Sequence, residues 1–588
     1  MMSLPKTPEE LVSMDTASWQ LLLQDPNQWQ NIPLLNHTPL HKLKDQTLVR
    51  FRGMVQDMMD QEIYLERYGV KSADGIMRLQ QGKYRDCLNL DKDEQVDYDN
   101  VVHGERRTLF VVSVPGLNDW AKQHEHKCNV QEDEPMVSNS HGVKRVLQEE
   151  SSEEQMEVDS HKRQCLESPQ QLELAKSNAT TLAASYLLNS PLPERPSMAC
   201  MVKVYENFDN FSLNSLLDFV GFLSVHPALD AALLEADTAE NLTELAAQHP
   251  SPLLIPRLHA FGVQPLPHAN PLLDRSLQQP SVPATLPAMA SLHKDLRMLL
   301  KLCLFDDELA ADYLICHLIS TVYSRSELQS IGKCALNLCN LPKSRVEGYA
   351  RQLSELLALL LPASHYLPMS LDTLNTAAFA PKKDYETSKL VSGLLQLAPH
   401  THLILDETCL QQGKLEASGV QAVQHLANLI NHQQLKCDFQ YYHIDYNVDI
   451  PVLIFSEGRS MLPSDFVLPL NADSKAIEIH AESMQAAQHY LQPERLQQLR
   501  SYLTLARTAS YNVSDALTEQ IQQDFVQMRQ ANAKSNADDL HGLLVLSRLL
   551  GIARGQVELD KNTWDMAMKF EAQRRQRLQA LPKSQVSN

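Results

Sequence analysis

Apolar and polar side chains alternate through Leu48-Val49-Arg50-Phe51-Arg52-Gly53-Met54-Val55, the period of a strand with one buried face. Short apolar pieces follow at Ile63-Tyr64-Leu65, Ile76-Met77-Arg78-Leu79 and Leu109 to Val114, the last running into Pro115-Gly116. Together they predict a small β-rich domain over residues 1–121. A loosely ordered helical stretch (1–45) leads into it, with Trp19 and Trp29 as anchors. Alternation resumes at Cys200-Met201-Val202-Lys203-Val204-Tyr205 and passes into Asp218 to Val225, which holds Gly221. A strand, a connection and a strand with an internal glycine suit a small curled barrel of the OB type, because glycine permits the sharp bend. This OB-like segment is set at 196–290, with its proline-rich part, 250–290, as a connector.

From Ser291 the spacing becomes helical. Leu296, Leu299, Leu300, Leu302 and Leu304 crowd one segment, and Ala310 to Val322 predicts a second apolar helix. Strand-like pieces at Cys334 to Leu338, Leu403-Ile404-Leu405 and Val452-Leu453-Ile454-Phe455 alternate with helical pieces at Leu353 to Leu361 and Val420 to Asn431. That alternation predicts an α/β domain with a largely parallel sheet over 291–490. Residues 491–588 read as helix throughout. Leu496, Leu499, Leu503 and Ala506 fall on one face, as do Leu517, Ile521, Phe525 and Met528 after Ser514, a good cap. Leu540, Leu543, Leu544 and Val545 open a third helix. Asp560 caps a fourth, which carries Trp564 and Met568, and its basic end, Arg574-Arg575-Gln576-Arg577, complements the helix dipole. The fold class is multidomain α/β, with a β-rich, OB-like N-terminal half and a C-terminal helical lid.

Composition then narrows the function. Of 588 residues 43% are hydrophobic, enough for packed cores in several domains, and the formal net charge is -20. Gripping a phosphate backbone needs a basic surface, so direct nucleic-acid binding is not expected. An acidic surface suits solubility or a partner with basic faces. The cysteines include no Cys-x-x-Cys pair. His124, His126 and Cys128 lie close together without a second ligand pair, so they are taken as linker residues and no metal site is expected. No basic-then-apolar leader opens the chain and no apolar run is long enough to cross a bilayer. Reduced thiols inside the cell, with no membrane partner, are the expectation.

Between 122 and 195 the character changes. Gln148-Glu149-Glu150-Ser151-Ser152-Glu153-Glu154 is an acidic run with nothing to bury, so this linker is expected to be disordered. Lys144-Arg145 and Lys162-Arg163 flank the run and form a candidate bipartite nuclear import signal, which places the protein in the nucleus.

One stretch has catalytic character. His402-Leu403-Ile404-Leu405-Asp406-Glu407-Thr408 is a buried-strand pattern ending in two acids. In P-loop nucleotide hydrolases an acid there holds magnesium and its neighbour orients water. Those enzymes also need G-x-x-x-x-G-K-S/T upstream, and no such run occurs in this chain. The alternative is a core strand whose Asp406 and Thr408 cap the next helix, and it is the favoured reading.

The order of domains resembles that of a minichromosome maintenance (MCM) helicase subunit. The lid runs Leu499-Arg500-Ser501-Tyr502-Leu503-Thr504-Leu505-Ala506-Arg507, Asp524-Phe525-Val526-Gln527-Met528-Arg529 and Ala537 to Arg548 are similar to successive stretches of those subunits, the last to the helix bearing a phosphate-sensing arginine. The resemblance implies a degenerate AAA+-like domain in which Asp406 and Glu407 are a degenerate Walker B-like pair. Asp538 then stands for the sensing arginine. In Asp306 to Asp312, Ala311 stands for the phosphate-loop lysine and Asp312 for its serine. Gly458-Arg459-Ser460 and Asp465-Phe466 lie where a trans-acting Ser-Arg-Phe-Asp motif would fall, and the zinc-binding cysteines of the helicase are missing.

A closer resemblance, over nearly the whole chain, is to the MCM-binding protein family. Leu35 to His41, Leu48 to Arg52, Met54 to Met58, Gly82-Lys83-Tyr84-Arg85-Asp86, His317 to Tyr323, Leu390 to Leu397, Ser456 to Ser460 and Ala537 to His541 carry it. It implies a nuclear DNA replication factor without catalytic activity or cofactor. Such a factor binds MCM helicase subunits, promotes removal of MCM complexes from chromatin and supports sister-chromatid cohesion. The alternative is an OB-fold nucleic-acid-binding module using Phe208, Phe211 and Phe219.

Overall fold

The computed structural model describes residues 4–581 apart from 16–18, 26–27, 72–76, 91–93, 130–181, 226–238, 274–281, 327–328, 343–347, 532–536 and positions 22, 24, 30 and 89. Lys144, Arg145, Lys162 and Arg163 lie outside the described residues.

Six strands build the N-terminal half: β1 (Leu48–Lys71), β2 (Met77–Gln81), β3 (Gln95–Val112), β4 (Ala199–Val204), β5 (Leu216–Ser224) and β6 (Arg257–Pro265). Their order is β2-β1-β3-β4-β6-β5, and β1 also pairs with β5, so five of them close into a ring. The two β-rich stretches expected as separate units therefore share one sheet. Closure accounts for this, because it leaves no unpaired strand edge in the ring. Gly221 sits at a register shift against β6, where a Cβ would lie 2.2 Å from the His259 carbonyl oxygen, so only glycine lets the strands close there.

Two expectations are corrected here. The proline-rich stretch 250–290 holds β6, bracketed by Pro256 and Pro265, and the helix Val282–Cys303 begins inside it. Proline is tolerated at strand ends, so its density did not mark a connector. Both flanks of the acidic linker are ordered, as the helices Asp119–Asn129 and Ala184–Leu188. Glu125 is buried and ion-paired to Arg52 at 2.9 Å, contacts that a charge-averaged reading misses. Trp29 is the anchor its size implied: it is buried, and its indole N–H donates to Asp218 at 3.1 Å.

In the second half, the small hairpin β7 (Ser324–Arg325) and β8 (Ser330–Ile331) precedes a parallel sheet of β9 (Leu336–Cys339), β10 (Ser364–Pro368), β13 (His402–Asp406), β16 (Val452–Phe455) and β17 (Phe466–Pro469). Its order is β10-β13-β16-β9-β17, with every neighbouring pair parallel. Helices Tyr349–Leu360 and Ala417–His432 are among the crossovers. Ile404 faces one core, with the helices Val282–Cys303 and Glu308–Ile319 and the lid, while Leu403 and Leu405 face another. A strand buried on both faces needs the unbroken apolar run seen in the sequence. A second sheet, β12-β11-β14-β15, is made of β11 (Lys382–Asp384), β12 (Lys389–Val391), β14 (Gln434–Asp438) and β15 (His443–Asn447). Four helices close the chain: Pro493–Thr508, Asp515–Ala531, Ala537–Ala553 and Lys561–Ala580. Asp560 caps the last by accepting from the Thr563 N–H at 2.8 Å. No described helix is long and apolar enough to cross a membrane.

The halves meet at β12. Gln56, fully buried, donates to the Leu390 carbonyl at 2.6 Å, and the Leu390 N–H donates to Asp57 at 2.8 Å. Asn189 bridges both, donating to Gln56 at 2.7 Å and to Leu390 at 2.8 Å. Lys389 is buried beside them over the Phe110 ring at 4.6 Å, and burial, opposed by Asp57, brings its ammonium down to about 8.

Candidate functional site

Asp406 ends β13 and Glu407 opens the short 3₁₀ turn Glu407–Cys409. The Asp406 carboxylate is fully engaged by its neighbours. Its Oδ1 accepts from the Thr408 N–H at 3.0 Å and the Thr408 hydroxyl at 2.6 Å. Its Oδ2 accepts from the Tyr366 hydroxyl at 2.6 Å and the Cys409 thiol at 3.4 Å. This is the capping role that the residue types implied, on a 3₁₀ turn rather than an α-helix. Glu407 is 8% exposed and accepts from the Ser460 hydroxyl at 2.7 Å. Burial pushes its carboxyl up to about 7, against the pull of Ser460 and two backbone N–H groups.

Beside this ledge lies a cleft of about 380 Å³ lined by Tyr349, Tyr366, Asp406, Thr408 and Cys409. Leu341, Pro342 and Gly348, described residues of the connection between β9 and the helix Tyr349–Leu360, also line it. Gly348 ends that connection at φ 69° and is followed by Tyr349 and Ala350. Tyr349 is buried and its hydroxyl donates to the Cys303 carbonyl at 3.1 Å.

The expected phosphate-loop position at Asp306 to Asp312 is corrected. Those residues form a turn and the start of the helix Glu308–Ile319, before any strand of the parallel sheet. Asp307 caps that helix at the Ala310 N–H, and Asp312 is paired with Arg297 at 2.8 Å. Apolar residues flanked by acids resembled a loop because a capped, ion-paired helix start has the same composition. Ser460, in the run where a trans-acting arginine motif would fall, supports Glu407 instead. Asp465 holds the Ala335 N–H at 2.7 Å. Asp538 lies in the first turn of its helix, where an acid suits the dipole. The His126 and His37 rings lie 5.5 Å apart, tilted by 48°, and no metal-binding cluster exists among the described residues. Phe219 is fully buried in the barrel, while Phe208 and Phe211 are half-buried.

At the opposite end of the same strand a second cluster was not foreseen. Arg507 of the lid donates to His402 Nε2 at 2.5 Å, His402 Nδ1 lies 3.5 Å from His317 Nε2, and His317 Nδ1 donates to the Cys334 carbonyl at 2.8 Å. The relay runs one way only if both rings are neutral, and burial holds His317 down to about 4. His400 sits 3.0 Å from Asp449, with the His268 ring 4.5 Å away. The sequence signal was Arg507 at the end of an apolar lid helix, beside a strand opening on histidine.

Comparison with known proteins decides the family. The profile of the mini-chromosome maintenance replisome factor family matches residues 19–578. The mini-chromosome maintenance complex-binding protein of Drosophila melanogaster is 68% identical, over 99% of this chain and 98% of its own length. The chain belongs to this family. Members from Danio rerio and Homo sapiens are 38% and 35% identical, each over 95% of this chain and 92% of their own length. Within the family, the Gln56–Asp57 and Leu390 to Leu397 runs that carried the resemblance are the two sides of the junction between the halves.

Proposed function

We propose that the chain is a non-catalytic replication factor of the nucleus that binds MCM helicase subunits by presenting a protomer-like face. In this reading the parallel sheet, its strand-ending acids and the lid form a degenerate AAA+-like body, and the closed five-strand ring is an OB-type barrel used for packing and protein contact. One observation carries it. Gly348-Tyr349-Ala350 stands at the strand-to-helix connection facing Asp406, where a phosphate loop would place Gly-Lys-Ser/Thr, and the tyrosine turns into the core. With the lysine replaced and Asp406 spent on Tyr366, Thr408 and Cys409, the phosphate cradle lacks its charge and the metal its ligand. A ring containing such a protomer lacks one working ATP interface, which favours an opened ring, removal of MCM complexes from chromatin and, through that, sister-chromatid cohesion.

The test is a pull-down from nuclear extract with the full tagged chain and an Asp406→Asn, Glu407→Gln double variant, with and without ATP. Equal recovery of MCM subunits in all four samples is the expected result. ATP turnover by the purified chain that Glu407→Gln abolishes, with the fold intact, would overturn the reading.

A further inference from the structure

A cleft of about 590 Å³ opens along β6 of the barrel; it shares no lining residue with the cleft at Asp406 and is independent of the MCM reading. Trp19, Tyr84, Tyr205 and Phe261 line it. The rings meet edge to face: Trp19 and Phe261 at 5.7 Å, Tyr84 and Tyr205 at 4.7 Å, Tyr84 and Phe261 at 6.2 Å. Glu206 is also part of the lining, with its side chain 69% exposed. No lysine or arginine is among the described residues that line the cleft.

Ring faces carry negative potential and attract a cation, more so beside a carboxylate. The chain already demonstrates this preference at the rim. Lys83 Nζ lies 5.2 Å from the Tyr84 ring centre, 5.8 Å from that of Tyr205 and 3.3 Å from Glu206. The site thus takes an ammonium, yet Lys83 occupies only its margin and leaves the cleft open. A phosphate or nucleic-acid strand would meet Glu206, and Lys83 beside it is already paired with that carboxylate, so the charge argues against the stacking platform that aromatic rings could otherwise form.

We propose that this cleft receives a cationic side chain, lysine or a methylated lysine, from a basic segment of a partner protein. The rings supply the cage, Glu206 the counter-charge, and Lys83 acts as an internal competitor. Its neighbours Gly82 to Asp86 hold Lys83 there, with Asp86 buried 3.2 Å from Lys203 and 3.2 Å from His259.

The test uses the full-length chain and a fluorescein-labelled peptide of alternating lysine and glycine at physiological salt, followed by anisotropy, with a glutamine-for-lysine peptide as control. Saturable binding of the lysine peptide alone is expected. Glu206→Gln, an exposed change that leaves the fold intact, should weaken it by about fivefold, and Trp19→Ala by about as much, from the usual strength of a cation–π or exposed ion pair. Lys83→Gln should tighten it, because the competing ammonium is gone. Glu386→Gln, an exposed acid in the other half, should leave it unchanged. Equal binding by all variants would reduce the effect to the general acidity of the chain and overturn the proposal. So would the absence of saturation, or binding of a thymidine oligonucleotide that Glu206→Gln strengthens.

Discussion

The two ends of the parallel sheet solve opposite electrostatic problems with the same strand. At the carboxyl end of β13, two acids are held by hydroxyls, a thiol and backbone N–H groups. At its amino end, a lid arginine donates to the buried imidazole of His402, which desolvation keeps neutral. In both places burial favours the uncharged form of the titrating group, carboxyl at one end and imidazole at the other. Their responses to pH are therefore opposite. Glu407 has a raised folded value, so it adds stability below about 4.5 that is lost as pH rises through about 7. His268 and His317 have lowered folded values, near 4, so they cost stability as pH falls from 6.5 toward 4. Asp406 is held as a cap, the reading its residue types favoured, while the lid is anchored through Arg507, the last residue of the run that resembles the helicase lid.

Four changes would break or sharpen that contrast. Arg507→Ala should have the largest effect, about 3 kcal/mol in urea unfolding, since it strips a buried polar chain of its donor. An unchanged midpoint would mean the amino end does not hold the lid. Glu407→Gln should raise stability by about 2 kcal/mol at pH 8, because it mimics the protonated acid, and should have little effect at pH 4.5. A loss of stability at pH 8 would show that the ionised form is the one the site prefers. His268→Phe keeps the stacked ring and removes the titration, so it should recover about 1 kcal/mol at pH 4.5 and nothing at pH 8, by thermal melts at both values. Tyr366→Phe removes one hydroxyl from Asp406 and should cost about 1 kcal/mol from pH 5 to 8, with MCM recovery in the pull-down unchanged.

The sequence made the doubly buried strand β13 legible, because an apolar run between helical patterns has few other interpretations. The lid was legible for the same reason, since Leu499, Leu503 and Ala506 recur at helical spacing and all are buried. The edge strands β10 and β17 were not foreseen. Ser364-His365-Tyr366-Leu367-Pro368 is mixed in polarity, as an edge permits, and its proline argued against a strand. The single closed sheet of the N-terminal half could not be read from local pattern either. Its decisive pairing, β1 with β5, joins residues far apart in the chain. The capping role of Asp406 was visible from residue types, whereas Tyr366 reaches the ledge from the edge strand β10 and Ser460 from the connection between β16 and β17, and neither leaves a local trace.

The ring closure has a consequence in time. Strands β1 and β3 emerge during synthesis well before β6, some 150 residues later, completes the circle. At ordinary translation speeds the first strands wait roughly ten to thirty seconds with two bare edges. A newborn chain of this family thus passes through a stage in which half of a barrel is exposed to neighbours, and its yield in the cell depends on what shields that half until Arg257–Pro265 arrives.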